Sequence, residues 1–272
     1  MEKLKKALEK AYESRVEEQA DPGNSEKMQF QSKEFAADIM YTQTKIIEVQ
    51  SDVLREKCII TGSENDVVTD AYRVLRTHVL QRLRENNWNT LAVTSPRGGN
   101  GKTVTAINLA ISLSKEVNQT VLLVDLDLRH PNIQKYFSLE GQLGISEYLS
   151  GKIELREVLF NPGIQRLVVL PGNKSFVNSS EMLSSPKMVE LVDELKSYYL
   201  SRIVLFDMPP VLSCDDMLAF SPYIDSTLLV VEDGETKKKD LHRVLQLLDQ
   251  SKIIGTVLNK SRDEASSSEY TY

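Results

Sequence analysis

Two kinds of side chain in this sequence have chemistry to offer: a Lys-Thr pair behind a run of glycines, and carboxylates that close separate apolar stretches. The first lies at Ser95 to Thr103, which reads Ser-Pro-Arg-Gly-Gly-Asn-Gly-Lys-Thr. Gly98, Gly99 and Gly101 let the backbone turn so that consecutive N–H groups face one anion. A helix starting just after them adds the positive end of its dipole. Lys102 supplies a full charge for β- and γ-phosphates, and Thr103 a hydroxyl for Mg²⁺. Arg97, Asn100 and Val104 complete the stretch expected to hold a nucleotide. The pattern implies an ATP-Mg²⁺ site.

The carboxylates strengthen that implication. Val121 to Arg129 reads Val-Leu-Leu-Val-Asp-Leu-Asp-Leu-Arg, an apolar run closed by Asp125 and Asp127. Two residues apart in extended chain, they point the same way. Ile203 to Pro210 is a second apolar run, closed by Asp207. Taken singly, a glycine turn is often only a turn, and an Asp after a strand is often a helix cap. Together and in parallel strands, Asp125 and Asp207 arrive beside Thr103. Thr103, Asp125 and Asp207 are therefore the expected Mg²⁺ ligands, since Mg²⁺ takes one or two carboxylates plus water and phosphate oxygens.

Positioning such groups demands a particular scaffold. Apolar, β-branched runs at 90–94, 120–125, 167–170, 203–207, 226–231 and 253–258 read as strands buried on both faces. Helical spacing falls between them, near 103–115, 181–200 and 236–250. This alternation predicts an α/β fold, a doubly wound and mostly parallel sheet with right-handed crossovers, preceded by a helical or irregular N-terminal extension. Ligands of such sheets bind at the carboxyl ends of the strands, where residues 95–103 fall.

The remaining segments are less regular. Residues 2–19 predict a charged amphipathic helix, broken by Asp21-Pro22-Gly23-Asn24-Ser25. Thr44 to Val49 is β-branched and reads as extended, and Ser51 to Glu56 as a short capped helix. Asp66 to Arg84 predicts a longer helix with Val68, Ala71, Leu75, Val79 and Leu83 facing the core. On it Asp70, Arg73 and Arg76 are spaced by three, either for salt bridging within the helix or for reaching across a subunit interface. Three units result: an extension over 1–65, a P-loop domain over 66–262, and a polar tail over 263–272.

Composition narrows the function classes. Of 272 residues, 41% are hydrophobic and 26% charged, ordinary for a soluble globular protein. A net charge of −6 with one basic triplet, Lys237 to Lys239, argues against nucleic-acid binding and reads that triplet as a solvated helix start. Two cysteines, Cys58 and Cys214, make no disulfide framework and favour a reducing compartment. No apolar run approaches the roughly 18 residues of a membrane span. A cytoplasmic location follows, with any membrane role exercised through a partner.

The motifs resemble one family. Gly-Gly-Asn-Gly-Lys-Thr, then Leu-Leu-Val-Asp-Leu-Asp-Leu-Arg-His-Pro at 122–131, then Leu-Phe-Asp-Met-Pro-Pro at 205–210 resemble the bacterial tyrosine autokinases of exopolysaccharide synthesis. There Asp-x-Asp-x-Arg is a modified second Walker motif and Asp-x-Pro-Pro the Walker B. Residues 144–151 and 170–183 extend the likeness. Asp70 to Arg76 is similar to the family's ring-forming Glu-x-x-Arg-x-x-Arg helix, with Asp for Glu. Residues 1–11 resemble the branch encoded beside exosortase-type sorting systems.

This resemblance implies transfer of the ATP γ-phosphoryl to tyrosine, with Lys102, Asp125, Asp127 and Asp207 as the catalytic set. Asn259 is then expected at the adenine, and Tyr270 and Tyr272 as acceptors reaching a neighbouring subunit of a ring. It further implies protein-tyrosine substrates and a transmembrane polysaccharide co-polymerase as activator, holding the chain at the inner membrane. The sequence departs from the family where Gly98 replaces Pro and Asn100 replaces Glu. Arg97 sits where related partitioning ATPases carry a signature lysine. Two other readings compete: a partitioning-type ATPase switch that phosphorylates no protein, and a non-catalytic nucleotide-binding regulator.

Overall fold

A computed structural model describes residues 44–61, 66–197 and 202–261. The helix expected over 2–19, the likeness at 1–11 and the tyrosines of the tail lie outside these residues. In chain order the elements are β1 (Lys45–Ile46), α1 (Ser51–Glu56), α2 (Val67–Asn86), β2 (Thr90–Thr94), α3 (Lys102–Ser114) and β3 (Thr120–Asp125). Then come α4 (Ile133–Tyr136), α5 (Ile145–Leu149), α6 (Leu155–Val158), β4 (Phe160–Asn161), β5 (Leu167–Leu170), α7 (Ser179–Leu183) and α8 (Pro186–Ser197). The chain continues through β6 (Arg202–Asp207), α9 (Asp216–Phe220), β7 (Ser226–Glu232), α10 (Lys238–Leu247) and β8 (Ile253–Asn259).

The strands form one sheet in the order β1-β4-β5-β3-β6-β2-β7-β8. Every neighbouring pair is parallel except β4 with β5. All residues of β2 and β3 are buried, so both faces at the sheet's centre are covered, as their unbroken apolar runs require. β6 lies between β3 and β2, in register that sets Asp125 opposite Asp207 and Asp207 opposite Val93. Three strand ends distant in sequence thus finish flush.

Each expected strand over 90–258 forms within a residue of its predicted bounds. The helix expected over 181–200 is two helices, α7 and α8. Pro186 opens the second and disfavours helical geometry at Ser185, whose hydroxyl instead accepts the Met188 N–H at 3.3 Å. Ser51 is the first residue of α1 and not its cap; Gln50 holds that place without a side-chain bond. On α2, Asp66 caps by accepting the Thr69 N–H at 2.7 Å. Its buried side chains are Thr69, Val79, Leu80 and Leu83, whereas Val68 is 53% exposed and Ala71 is exposed too. The core-facing stripe therefore starts later than the periodicity predicted.

Residues 45–60 join the same core. β1 adds an edge strand, and Leu54, Ile59 and Ile60 pack with the sheet's side chains. All of α3 except Val104 is buried. Its Asn108 lies against this segment, accepting the Ile60 N–H and donating to the Cys58 carbonyl, each at 3.0 Å.

Candidate active site

β2 ends at Thr94 and the chain turns through the glycine-rich loop into α3. Gly99 and Gly101 take φ of +85° and +89°, a left-handed conformation that other residues rarely adopt. Gly101 has a second constraint, since a Cβ there would stand 2.0 Å from Asn259 Nδ2. The loop is spliced to the end of β6 by Thr94 Oγ1 donating to the Pro209 carbonyl at 2.7 Å, and by Met208 and Val211 donating to Val93 and Ser95.

On this frame the expected residues converge. Lys102 Nζ donates to Asp127 Oδ2 at 2.8 Å and lies 3.5 Å from Asp207 Oδ1. Thr103 Oγ1 donates to Asp207 Oδ2 at 2.7 Å. All four groups are nearly closed off from solvent. Asp125 stands slightly apart. Its Oδ2 accepts the N–H groups of Asn132 and Ile133 at 3.0 Å, and its Oδ1 that of Asp127 at 3.3 Å. The side chain expected as a metal ligand is thus spent on the loop after β3, within electrostatic but not hydrogen-bonding reach of Lys102.

Burial dominates the electrostatics. It raises Asp125 to about 7, with help from the charge of Asp207, against the backbone N–H of Ile133. Burial raises Asp207 too, opposed by Lys102 and Thr103. Burial works against the Lys102 charge, but Asp207, Asp127 and Asp125 outweigh it and hold the ammonium well above the ordinary lysine pKa.

The donor set fits Mg²⁺. Asp207 Oδ1 is buried without a hydrogen-bond partner and sits beside the Thr103 hydroxyl. Hard oxygens of this kind suit a cation that fills its octahedron with phosphate and water. Among the described residues no cluster of three or more His, Cys, Asp or Glu forms an all-protein metal cage.

Other predicted residues fall elsewhere. The Arg97 guanidinium forks onto Asp240 of α10, at 2.7 and 3.0 Å. Asn259 donates to the Asn100 carbonyl at 2.9 Å, bracing the loop from outside. Arg73 pairs with Asp70 at 2.6 Å on the same helix. Arg76 reaches α3 within the same chain, donating to the Ser112 carbonyl at 3.1 Å beside Glu116 at 3.2 Å.

Several contributors escaped the sequence reading. Glu232 and Lys260 join the loop from the ends of β7 and β8, and Asp240 holds Arg97. Gly172 lies so near Asp125 that a Cβ would come within 3.2 Å of its carboxyl carbon. Arg129 is anchored by the buried Asp216 at 3.2 Å, which also accepts from Ser179. The rule that picked Asp207, a polar residue closing an apolar run, would have found Glu232; no motif marks Asp240 or Asp216.

Comparison with known proteins accords with this geometry. The family described as "AAA domain" matches residues 88–261. Tyrosine-protein kinase YwqD of Bacillus subtilis is 31% identical over 206 residues, covering 75% of this chain and 85% of YwqD. The chain belongs to the bacterial tyrosine-protein kinases of the AAA-domain family. Tyrosine-protein kinase etk of Escherichia coli is 31% identical over 209 residues, 76% of this chain but 28% of etk. The kinase domain of etk superposes with a TM-score of 0.68 at 27% identity, covering 84% of this chain and 93% of that domain. The septum site-determining protein MinD of Pyrococcus horikoshii shares the fold, with a TM-score of 0.53 at 23% identity over 64% of this chain and 72% of its own. No helix among the described residues is long and apolar enough to cross a membrane.

Proposed function

We propose that this kinase transfers the γ-phosphoryl of ATP to tyrosine hydroxyls, its own Tyr270 and Tyr272 among them, in trans within a ring. The observation that carries the reading is the meeting of Lys102, Thr103, Asp127 and Asp207 at the flush ends of β2, β3 and β6. Such a transfer is mostly positioning and charge neutralisation. The loop's N–H groups and Lys102 seat the phosphates, while Thr103 and Asp207 would hold Mg²⁺. Bound there, the cation would offset the charge developing on the phosphoryl oxygens. Phosphate oxygens arriving at Lys102 compete with Asp127 for its ammonium. Asp127 then becomes the acceptor for the phenolic proton, which leaves poorly unaided because tyrosine's pKa is about 10. Asp125, its oxygens engaged by backbone, holds the loop that carries Asp127.

The reaction is assigned to the P-loop domain read over 66–262, to which residues 45–61 add an edge strand and core side chains. A transmembrane polysaccharide co-polymerase as activator, and through it attachment at the inner membrane, are carried over from the family. The exosortase-associated branch rests on the likeness at residues 1–11. Against the partitioning-type switch stand the Asp125-x-Asp127-x-Arg129 signature and the Asp70–Arg76 helix, whereas Arg97, at the place of that group's signature lysine, favours it.

Mass spectrometry of the purified chain, with and without ATP-Mg²⁺, tests the reading. Phosphotyrosine at 270 and 272 is expected, and its loss in Lys102→Met. ATP hydrolysis with no phosphotyrosine would favour the switch, and label persisting in a Tyr270→Phe/Tyr272→Phe chain would discard the tail assignment.

A further inference from the structure

The glycine-rich loop is gripped from behind. Lys260 Nζ donates to the Gly99 carbonyl at 2.9 Å, and Asn259 Nδ2 to the Asn100 carbonyl at 2.9 Å. Lys260 also pairs with Glu232 Oε1 at 2.9 Å, while Glu232 Oε2 accepts from Asn100 Nδ2 at 3.2 Å. Asn100 closes the circuit, its Oδ1 accepting the Arg97 N–H at 3.1 Å. The end of β8, more than 150 residues downstream of the loop, thus holds two of its consecutive peptide carbonyls, and the end of β7 holds the Asn100 side chain.

A trans peptide is rigid, with its C=O and N–H pointing opposite ways. The Gly99 carbonyl shares a peptide plane with the Asn100 N–H, and the Asn100 carbonyl shares one with that of Gly101. Tying both carbonyls to β8 therefore turns both N–H groups toward the concave side, where an anion sits. Left to itself, a glycine-rich loop has many other orientations for these peptides, and a ligand must repay their ordering. The residue at position 100 is matched to its neighbour. An amide can donate to Glu232, whereas the glutamate that related loops carry there would set two carboxylates against each other.

We propose that Glu232 and Lys260, acting through Asn100 and Gly99, are positioning residues that pre-form the phosphate cradle of this kinase. Pre-organisation of this kind governs how tightly nucleotide binds; once the phosphates are seated, their own contacts hold the loop. The inference rests on the nucleotide seat described above, not on the identity of the phosphoryl acceptor.

The test uses the full chain, with Mg·ATP affinity measured by calorimetry alongside KM, kcat and Tm. Lys260→Met is expected to weaken Mg·ATP binding and raise KM about tenfold, as loss of a charged hydrogen bond would, with kcat within about twofold. Lys260→Arg should restore most of the affinity. Asn100→Glu should lose affinity at least as severely, and Asn100→Glu/Glu232→Gln should regain it, because an amide at 232 can donate to the new carboxylate. Unchanged affinity in Lys260→Met, a fall in kcat at constant KM, or a double variant no better than Asn100→Glu would each overturn the proposal. Wild-type chain that binds Mg·ATP but labels no tyrosine would sink the kinase assignment while leaving this test intact.

Discussion

Burial opposes the charges of Lys102, Asp125 and Asp207, and their mutual attraction wins at Lys102 but not at the two carboxylates. Folded Asp125 titrates near 7 against an ordinary value of 3.8. Between those values the folded chain keeps a proton that the unfolded chain has lost, so stability falls as pH rises through 7. Asp125→Asn cannot ionise and keeps one oxygen for the Asn132 and Ile133 N–H groups, giving up the longer bond from the Asp127 N–H. It should be more stable than wild type by about 1–3 kcal/mol at pH 8, the gain shrinking toward pH 5, as thermal melts at the two pH values would show. Lys102→Met should do the opposite. It takes from Asp127 and Asp207 the cation they share, at a cost of about 3–5 kcal/mol near neutrality. Phosphotyrosine should vanish in that variant at every pH where it is folded.

At the scale of elements, α2 and α3 answer the question left by the Asp70-Arg73-Arg76 spacing. Arg76 bonds the last turn of α3, where its cation meets the negative end of that helix, and Ser112 Oγ returns a bond to the Tyr72 carbonyl at 3.1 Å. Arg73 lies on the solvent side, paired with Asp70. The two arginines therefore play different parts. Arg76→Ala should destabilise an isolated chain by about 1–2 kcal/mol, since it removes a charged hydrogen bond to the Ser112 carbonyl and the ion-pair partner of Glu116. Arg73→Ala should cost less than Arg76→Ala, as its pair with Asp70 is exposed and one turn away on the same helix. A sizing column then separates assembly from stability. Ring formation through this helix predicts smaller species for Arg73→Ala at unchanged Tm, and unaltered elution would remove Arg73 from any interface.

Across the whole molecule, the sheet is secured at the edge opposite the nucleotide seat. Asp225 accepts the Asn89 and Thr90 N–H groups at 3.1 Å and the Lys196 ammonium at 2.7 Å, joining the start of β2 to α8 and to the approach of β7. Burial pushes its pKa up, but Lys196, Thr90 and Asn89 together bring it below the ordinary value. Its contribution is therefore present above pH 4 or so and disappears as pH falls through the lowered value. Asp225→Asn should cost about 1–2 kcal/mol at pH 7, discounted for its partial exposure, with the gap to wild type closing toward pH 3. Nucleotide affinity should not move, because this edge is remote from the loop at 95–103.

What the sequence determined by itself was local or repetitive: the buried strands, whose apolar runs admit no other environment, and the loop whose glycines, lysine and threonine meet within nine residues. Fold class and the core of the nucleotide seat follow from those alone. Only the tertiary structure decided how the remaining polar groups were spent. Asp125 went to backbone amides, Arg76 to a helix end in its own chain, and Asn259 with Lys260 to the rear of the loop. Each outcome turns on which of several partners, more than 30 positions away in three of these four cases, first satisfies a group that cannot be buried unpaired. Periodicity and spacing carry no record of that competition; strand order and register settle it.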